Sequence, residues 1–368
     1  MEMNDPGTKG CLGSLVGGAM LILAISTGLL LLTHGRASAK PAPHPARTDS
    51  SVVPALSPFI EVHAHLDQKD TTGSIQAALR AMDSENAAKI IFLPSPFTPD
   101  DPTRFDDEVL ISAEKDHRDK FAFLGGGGTL NAMVQEAVHS GNAGPEVQKR
   151  FKERAEQIVR DGASGFGEMT AQHFATGPGS YYEYAAPDHP LFLLLADVSA
   201  EHGGLPIDFH MEAASKPMPL PSGLKSPPNP PHLHDNIAAF ERLLSHNPKA
   251  KIVWAHEGWD NTGDRTVELS RRLLKAHPNL YMEIKVDPGE VGKNSPLVDG
   301  GTGKLKPEWL KLFAEFPDRF VIGSDQHYPE PAKGPQRWQS AVLVFNQLPA
   351  GLREKIGIEN PTRIYHLK

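Results

Sequence analysis

The chain of 368 residues has room for one large α/β barrel or two ordinary domains. Its 39% hydrophobic and 22% charged side chains exclude a wholly disordered, collagen-like or polytopic membrane protein. Lys and Arg number 37 against 45 Asp and Glu, a formal net charge of -8 with no basic cluster, which argues against a nucleic-acid partner. The one cysteine, Cys11, sits near the N-terminus, so the rest of the chain can form neither a disulfide nor a thiolate metal site. Any metal is then held by nitrogen and oxygen.

Residues 10–33 carry no charged side chain and are long enough to span a bilayer. Ala37 and Ala39 follow, spaced as a signal peptidase requires, so residues 1–39 are expected to be a signal peptide or membrane anchor. Lys9 alone precedes the run while Arg36, Lys40 and Arg47 follow it, a charge order that speaks against export; the apolar length speaks for it. The expectation is an extracytoplasmic protein, periplasmic or secreted, with a membrane tether as one form. Residues 40–58 are rich in Pro, Ser and Ala and are expected to be a linker.

From Phe59 on, short apolar runs alternate with helical patterns, the sign of βα units and a parallel sheet. Strands are predicted at 59–65, 89–93, 121–124, 165–168, 206–211, 251–256, 280–285 and 320–325, with helices at 73–89, 146–159, 191–201, 235–244, 267–275 and 307–316. Eight such units over residues 59–368 fit a single (β/α)8 TIM barrel, whose chemistry gathers at the C-terminal strand ends. The alternative, a doubly wound open sheet, would want a Gly-rich phosphate loop after the first strand, where this chain has His-Ala-His-Leu-Asp. The Gly125 to Gly128 run lacks a lysine and reads as a flexible loop.

His63 and His65 stand two apart on a strand, so their side chains share a face. Glu168 ends the fourth predicted strand, His210 lies in the fifth, His256 ends the sixth and Asp325 the eighth. Several imidazoles converging at strand ends are most simply explained by a shared ion, and this donor set suits zinc, manganese, iron or nickel. Glu61 and Asp208, each two residues before a histidine, read equally well as acceptors orienting that histidine and as polar barrel-layer residues. Lys285 ends the seventh strand, where it can meet a substrate carboxylate. His173 after the fourth strand and His327 after the eighth are candidates to line the pocket. Tyr181, Tyr182 and the proline-rich loop 216–231 are candidates to cover it, while His117, His139, His246 and His277 read as structural.

The ordered set Ile60-Glu61-Val62-His63-Ala64-His65, Phe209-His210, Val253-Trp254-Ala255-His256-Glu257 and Ile322-Gly323-Ser324-Asp325 resembles the amidohydrolase superfamily, in its amidohydrolase-related branch of metal-dependent hydrolases. The resemblance implies that His63, His65, His210 and Asp325 hold a metal, and that His256 either binds a second metal or polarises the substrate. Glu168, where binuclear relatives place a bridging ligand, leaves one or two ions open. The expected cofactor is a divalent metal, zinc first. The expected partner is a small-molecule substrate, with no nucleic acid; the oligomeric state is not legible. The implied reaction is hydrolysis of a lactone, amide or ester, with Asp325 passing the water's proton and His256 facing the substrate oxygen. A metal-dependent non-oxidative decarboxylase of an aromatic or unsaturated acid is the first alternative, and a non-catalytic ligand-binding barrel of the envelope is the second.

Overall fold

The computed structural model describes residues 53–177, 180–286, 295–329 and 336–368. The segment expected to be a signal or anchor, and the linker up to residue 52, lie outside the described residues. Among the described residues no helix is long and apolar enough to cross a membrane. Residues 53–58 of the expected linker lie against the fold: Ala55 is buried, its amide donating to the Glu85 carbonyl, and the Leu56 amide donates to the Asn346 side chain.

The strands are β1 (Phe59–Leu66), β2 (Ala87–Phe92), β3 (Phe121–Phe123), β4 (Phe166–His173), β5 (Pro206–Met211), β6 (Lys251–Trp254), β7 (Leu280–Ile284) and β8 (Phe320–Ile322). β1 pairs with β2 and β2 with β3, all in parallel. The chain beyond β3 continues as Gly125–Gly126, which pairs with β4, and parallel pairing then runs through β5, β6 and β7 to β8. After β8, Gln326–Tyr328 pairs back onto β1, with Ala64 opposite Gln326. The pairings thus form a ring, a TIM-barrel-like parallel α/β fold, and the open-sheet alternative fails because first and last strands meet.

Two apolar layers hold the ring. Ile90, Phe92, Ile252, Trp254, Leu280 and Met282 join one cluster with helix residues such as Phe151, Leu195, Phe240, Leu273 and Leu312. Their strand neighbours Ile91, Val253, Tyr281 and Val321 join a second cluster with Ile364 and Tyr365 of the C-terminal segment. This division by alternate residues is the period-two signature of strands with both faces covered.

The run from Gly125 to Gly128 is not a flexible loop. All four glycines are buried, and a Cβ at Gly127 would strike the Pro94 carbonyl oxygen while one at Gly128 would strike that of Phe105. Close backbone approach explains the composition. β4 runs to His173, five residues beyond the predicted end at 168, because it also pairs antiparallel with Glu183–Tyr184.

Candidate metal centre

The ring brings His63 and His65 of β1, Glu168 near the start of β4, His210 of β5, and His256 and Asp325 just beyond β6 and β8 to one place. Among the described residues, three of the four donor groups that fall within 4.8 Å share His63: with His65 and Asp325, with His256 and Glu283, and with Glu168 and Asp208. The remaining one joins Glu168, His210 and His256. His63 is fully buried, and its Nδ1 lies 2.8 Å from Glu283 Oε2. His65 Nδ1 lies 2.9 Å from the Leu93 carbonyl, which can only accept, so this nitrogen carries the proton. In the neutral ring, His65 Nε2 is then an acceptor, yet it faces Asp325 Oδ1 at 3.0 Å and Glu168 Oε2 at 3.7 Å.

His63 Nε2 has no hydrogen-bond partner among the described residues and faces the same two carboxylates, at 3.6 Å from Glu168 and 3.8 Å from Asp325. Burial opposes protonation of His63, but Glu283, Asp208 and Glu168 overcome it and hold its pKa well above the ordinary value, so the buried carboxylates favour a positive charge among them; a bound cation would supply it, and the residues present fit a metal.

On its other side Glu168 Oε1 lies 2.6 Å from His210 Nδ1 and 3.4 Å from His256 Nε2. Burial opposes its ionisation, but His210, His256 and His63 outweigh that and hold the carboxyl well below the usual range. Asp325 is likewise held well below: burial raises its pKa, and Lys285 and Arg337 overcome it. Lys285 Nζ donates to Asp325 Oδ2 at 2.6 Å and Arg337 Nη1 donates to the same atom at 2.8 Å. Burial and the Lys285 charge lower the pKa of His256, favouring its neutral, ligating form. His256 and Asp325 both have positive φ, 65° and 56°, the left-handed region that turns each side chain at its strand's end.

These donors open onto a cavity of about 260 Å³, also lined by Tyr181, Trp259, Asn261, Glu212, His173 and His327. His173, expected in a loop, is the last residue of β4, its Nδ1 3.0 Å from the Tyr181 carbonyl oxygen; burial lowers its pKa to about 4. His327, expected in a loop, lies in the extended Gln326–Tyr328 and stacks near His65 with ring centroids 4.4 Å apart. Lys285 lines the cavity with its ammonium engaged by Asp325 and by the Trp259 ring, 4.0 Å away. Tyr182 packs on Phe174 instead of lining the cavity, and the 216–231 loop walls a separate pocket through Gly223, Leu224, Lys225 and Pro228.

Asp208 reaches His63 Nδ1 at 3.4 Å, across the ring, and not the His210 two residues away. Burial pushes its carboxyl up to about 7. Glu61 orients no imidazole: Oε1 accepts from the amides of His63 and Ser324, at 3.1 and 2.7 Å. Two contributors escape the sequence reading. Glu283 has a usable signal, because the alternation that marks Lys285 puts Glu283 on the same face. Arg337 has none, since it begins a helix 12 residues past Asp325.

An amidohydrolase family model matches residues 141–367, more than half of the chain and including Glu168, His210, His256, Lys285 and Asp325. The chain belongs to the amidohydrolase family. It is therefore an enzyme of amidohydrolase type. Among curated proteins none matches it. A probable 2-pyrone-4,6-dicarboxylic acid hydrolase from Acinetobacter baumannii, solved with citric acid bound, shares 12% identity over 84% of this chain and 99% of its own, with a TM-score of 0.50. An apo structure from Agrobacterium tumefaciens shares 12% over 86% and 98%, with a TM-score of 0.49. A uronate isomerase from Bacillus halodurans shares 11% over 80% and 69%, with a TM-score of 0.46. At such identities the first of these likenesses shows the fold alone, and this amidohydrolase's chemistry has to be argued from its own residues.

Proposed function

We propose that this amidohydrolase hydrolyses a small carbonyl compound, a lactone, amide or ester, with two divalent cations, zinc by preference. The observation that carries the reading is the position of Glu168. One carboxylate oxygen faces His63 and His65, the other faces His210 and His256, so a single side chain adjoins two donor groups. His63, His65 and Asp325 would hold one ion, His210 and His256 the other, with Glu168 shared. This reading makes His256 a ligand as well as a neighbour of the substrate oxygen.

Divalent ions bound there supply Lewis acidity toward water and toward a carbonyl oxygen. Lys285 and Arg337 hold Asp325 ionised by its Oδ2, which leaves Oδ1, the oxygen facing His63 and His65, as the donor to an ion; the same carboxylate, beside that ion, would accept the proton of the attacking water and return it to the leaving group. The cavity walls offer Asn261 and Tyr181 to orient a substrate, and about 260 Å³ suits a small molecule. The engagement of Lys285 by Asp325 weighs against the decarboxylase alternative, which needs an anchored substrate carboxylate.

Turnover of a lactone, amide and ester panel in oxygen-18 water tests the reaction: a hydrolase places solvent label in its product. Carbon dioxide release without label would move the assignment to decarboxylation. The apolar run at 10–33 and the Ala37-Ser38-Ala39 stretch support work outside the cytoplasm, tethered or released. Fractionation with protease protection tests that placement, and an intact full-length chain soluble in the cytoplasm would refute it.

A further inference from the structure

We propose that Arg265 is a positioning residue that sets His210 and His256 as one ligating unit; the proposal rests on the two-group reading above. Arg265 is buried, 3% exposed, and does not line the cavity. Its guanidinium donates through Nη2 to the Met211 carbonyl at 2.8 Å and through Nη1 to the Ala255 carbonyl at 2.6 Å. Met211 directly follows His210 and Ala255 directly precedes His256, so one planar fork ties the backbone beside both histidines.

The fork is itself fixed on several sides. The Trp254 ring lies 4.2 Å from its central carbon, and Trp254 Nε1 donates to the same Met211 carbonyl at 2.8 Å. Glu257, wholly buried, supplies the countercharge at 3.7 Å and accepts from Ser270 at 2.6 Å. A buried charge is costly unless it is paired and hydrogen-bonded; the guanidinium is hydrogen-bonded through Nη1 and Nη2 and adjoins a carboxylate, while its Nε and Glu257 Oε2 have no hydrogen-bond partner among the described residues. Parallel pairing stops at Trp254, after which the Ala255 amide donates to the Phe209 carbonyl at 3.1 Å and the Glu257 amide to the Glu283 carbonyl at 2.6 Å, with His256 turning into positive φ between them. Arg265 adds a side-chain link between the backbone after His210 and the backbone before His256, whose imidazole rings lie 4.8 Å apart.

Calorimetric titration of metal-free full-length protein with zinc ion tests this. Two binding steps are expected in the wild type, one removed by His210→Ala and the other by His65→Ala. Arg265→Met should weaken the step that His210→Ala removes by roughly 10- to 100-fold, the scale of lost outer-sphere support, and leave the other unchanged. Arg265→Lys keeps the charge but not the fork and should fall between. If Arg265→Met does not fold, as judged by its melting curve, Arg265→Lys is the variant read. Wild-type binding in the folded variant, or equal weakening of both steps, would overturn the proposal. A single step in the wild type would instead overturn the two-group reading, and Arg265 would then stand or fall on whether its variants weaken that step as His210→Ala does.

Discussion

Glu283 and His63 lie 220 positions apart and meet at 2.8 Å, carboxylate to Nδ1, inside the ring of strands. The contact calls for a proton on Nδ1, and Nε2 faces Glu168 and Asp325, where it would be the nitrogen that binds an ion. Replacing Glu283 with Ala should lower metal affinity by roughly 10- to 100-fold at the His63 group, measured by competition with a chromogenic chelator. Unchanged affinity would reduce Glu283 to a barrel-layer residue.

The first-strand pair supplies both imidazoles of the donor group that includes Asp325. His63→Ala combined with His65→Ala should abolish metal binding at their group and all hydrolysis, read by elemental analysis and turnover. Retention of stoichiometric metal and activity would show the assignment to be wrong.

Glu168 separates one ion from two. Glu168→Gln should bring metal content from about two per chain to about one, because an amide bridges poorly. A constant stoichiometry would make this carboxylate a hydrogen-bond partner of His210 and nothing more.

Glu183 predicts a pH dependence of stability. It is buried, its Oε1 accepting from Asn131 at 3.3 Å, and burial raises its pKa to about 8. The folded state therefore keeps a proton that the unfolded chain releases, and stability falls as pH rises from the ordinary carboxyl value of 4.5 toward 8. The slope contributed is at most about 1.4 kcal/mol per pH unit. Denaturant unfolding at several pH values should show Glu183→Gln lacking this component, and identical slopes in both proteins would refute it.

Local periodicity makes much of this enzyme legible in its sequence. Apolar runs alternating with helical patterns marked eight strands, and strand alternation put His63 and His65 on one face, because side-chain direction along a strand depends only on position in the chain. The bounds of the apolar runs placed His210, His256 and Asp325 at or near strand ends, whereas Glu168, expected at the end of its strand, is the third residue of one that runs on to His173. What alternation cannot convey is which side chains meet across the ring. Asp208 is two residues from His210 yet contacts His63, Lys285 clamps Asp325 from 40 positions away, and Arg265 joins the backbone beside two histidines. The order of close contacts across a ring is set by strand stagger, by the extension of β4 to His173 and by the turns at His256 and Asp325. Those are properties of closing the sheet on itself, and no local stretch of sequence carries them.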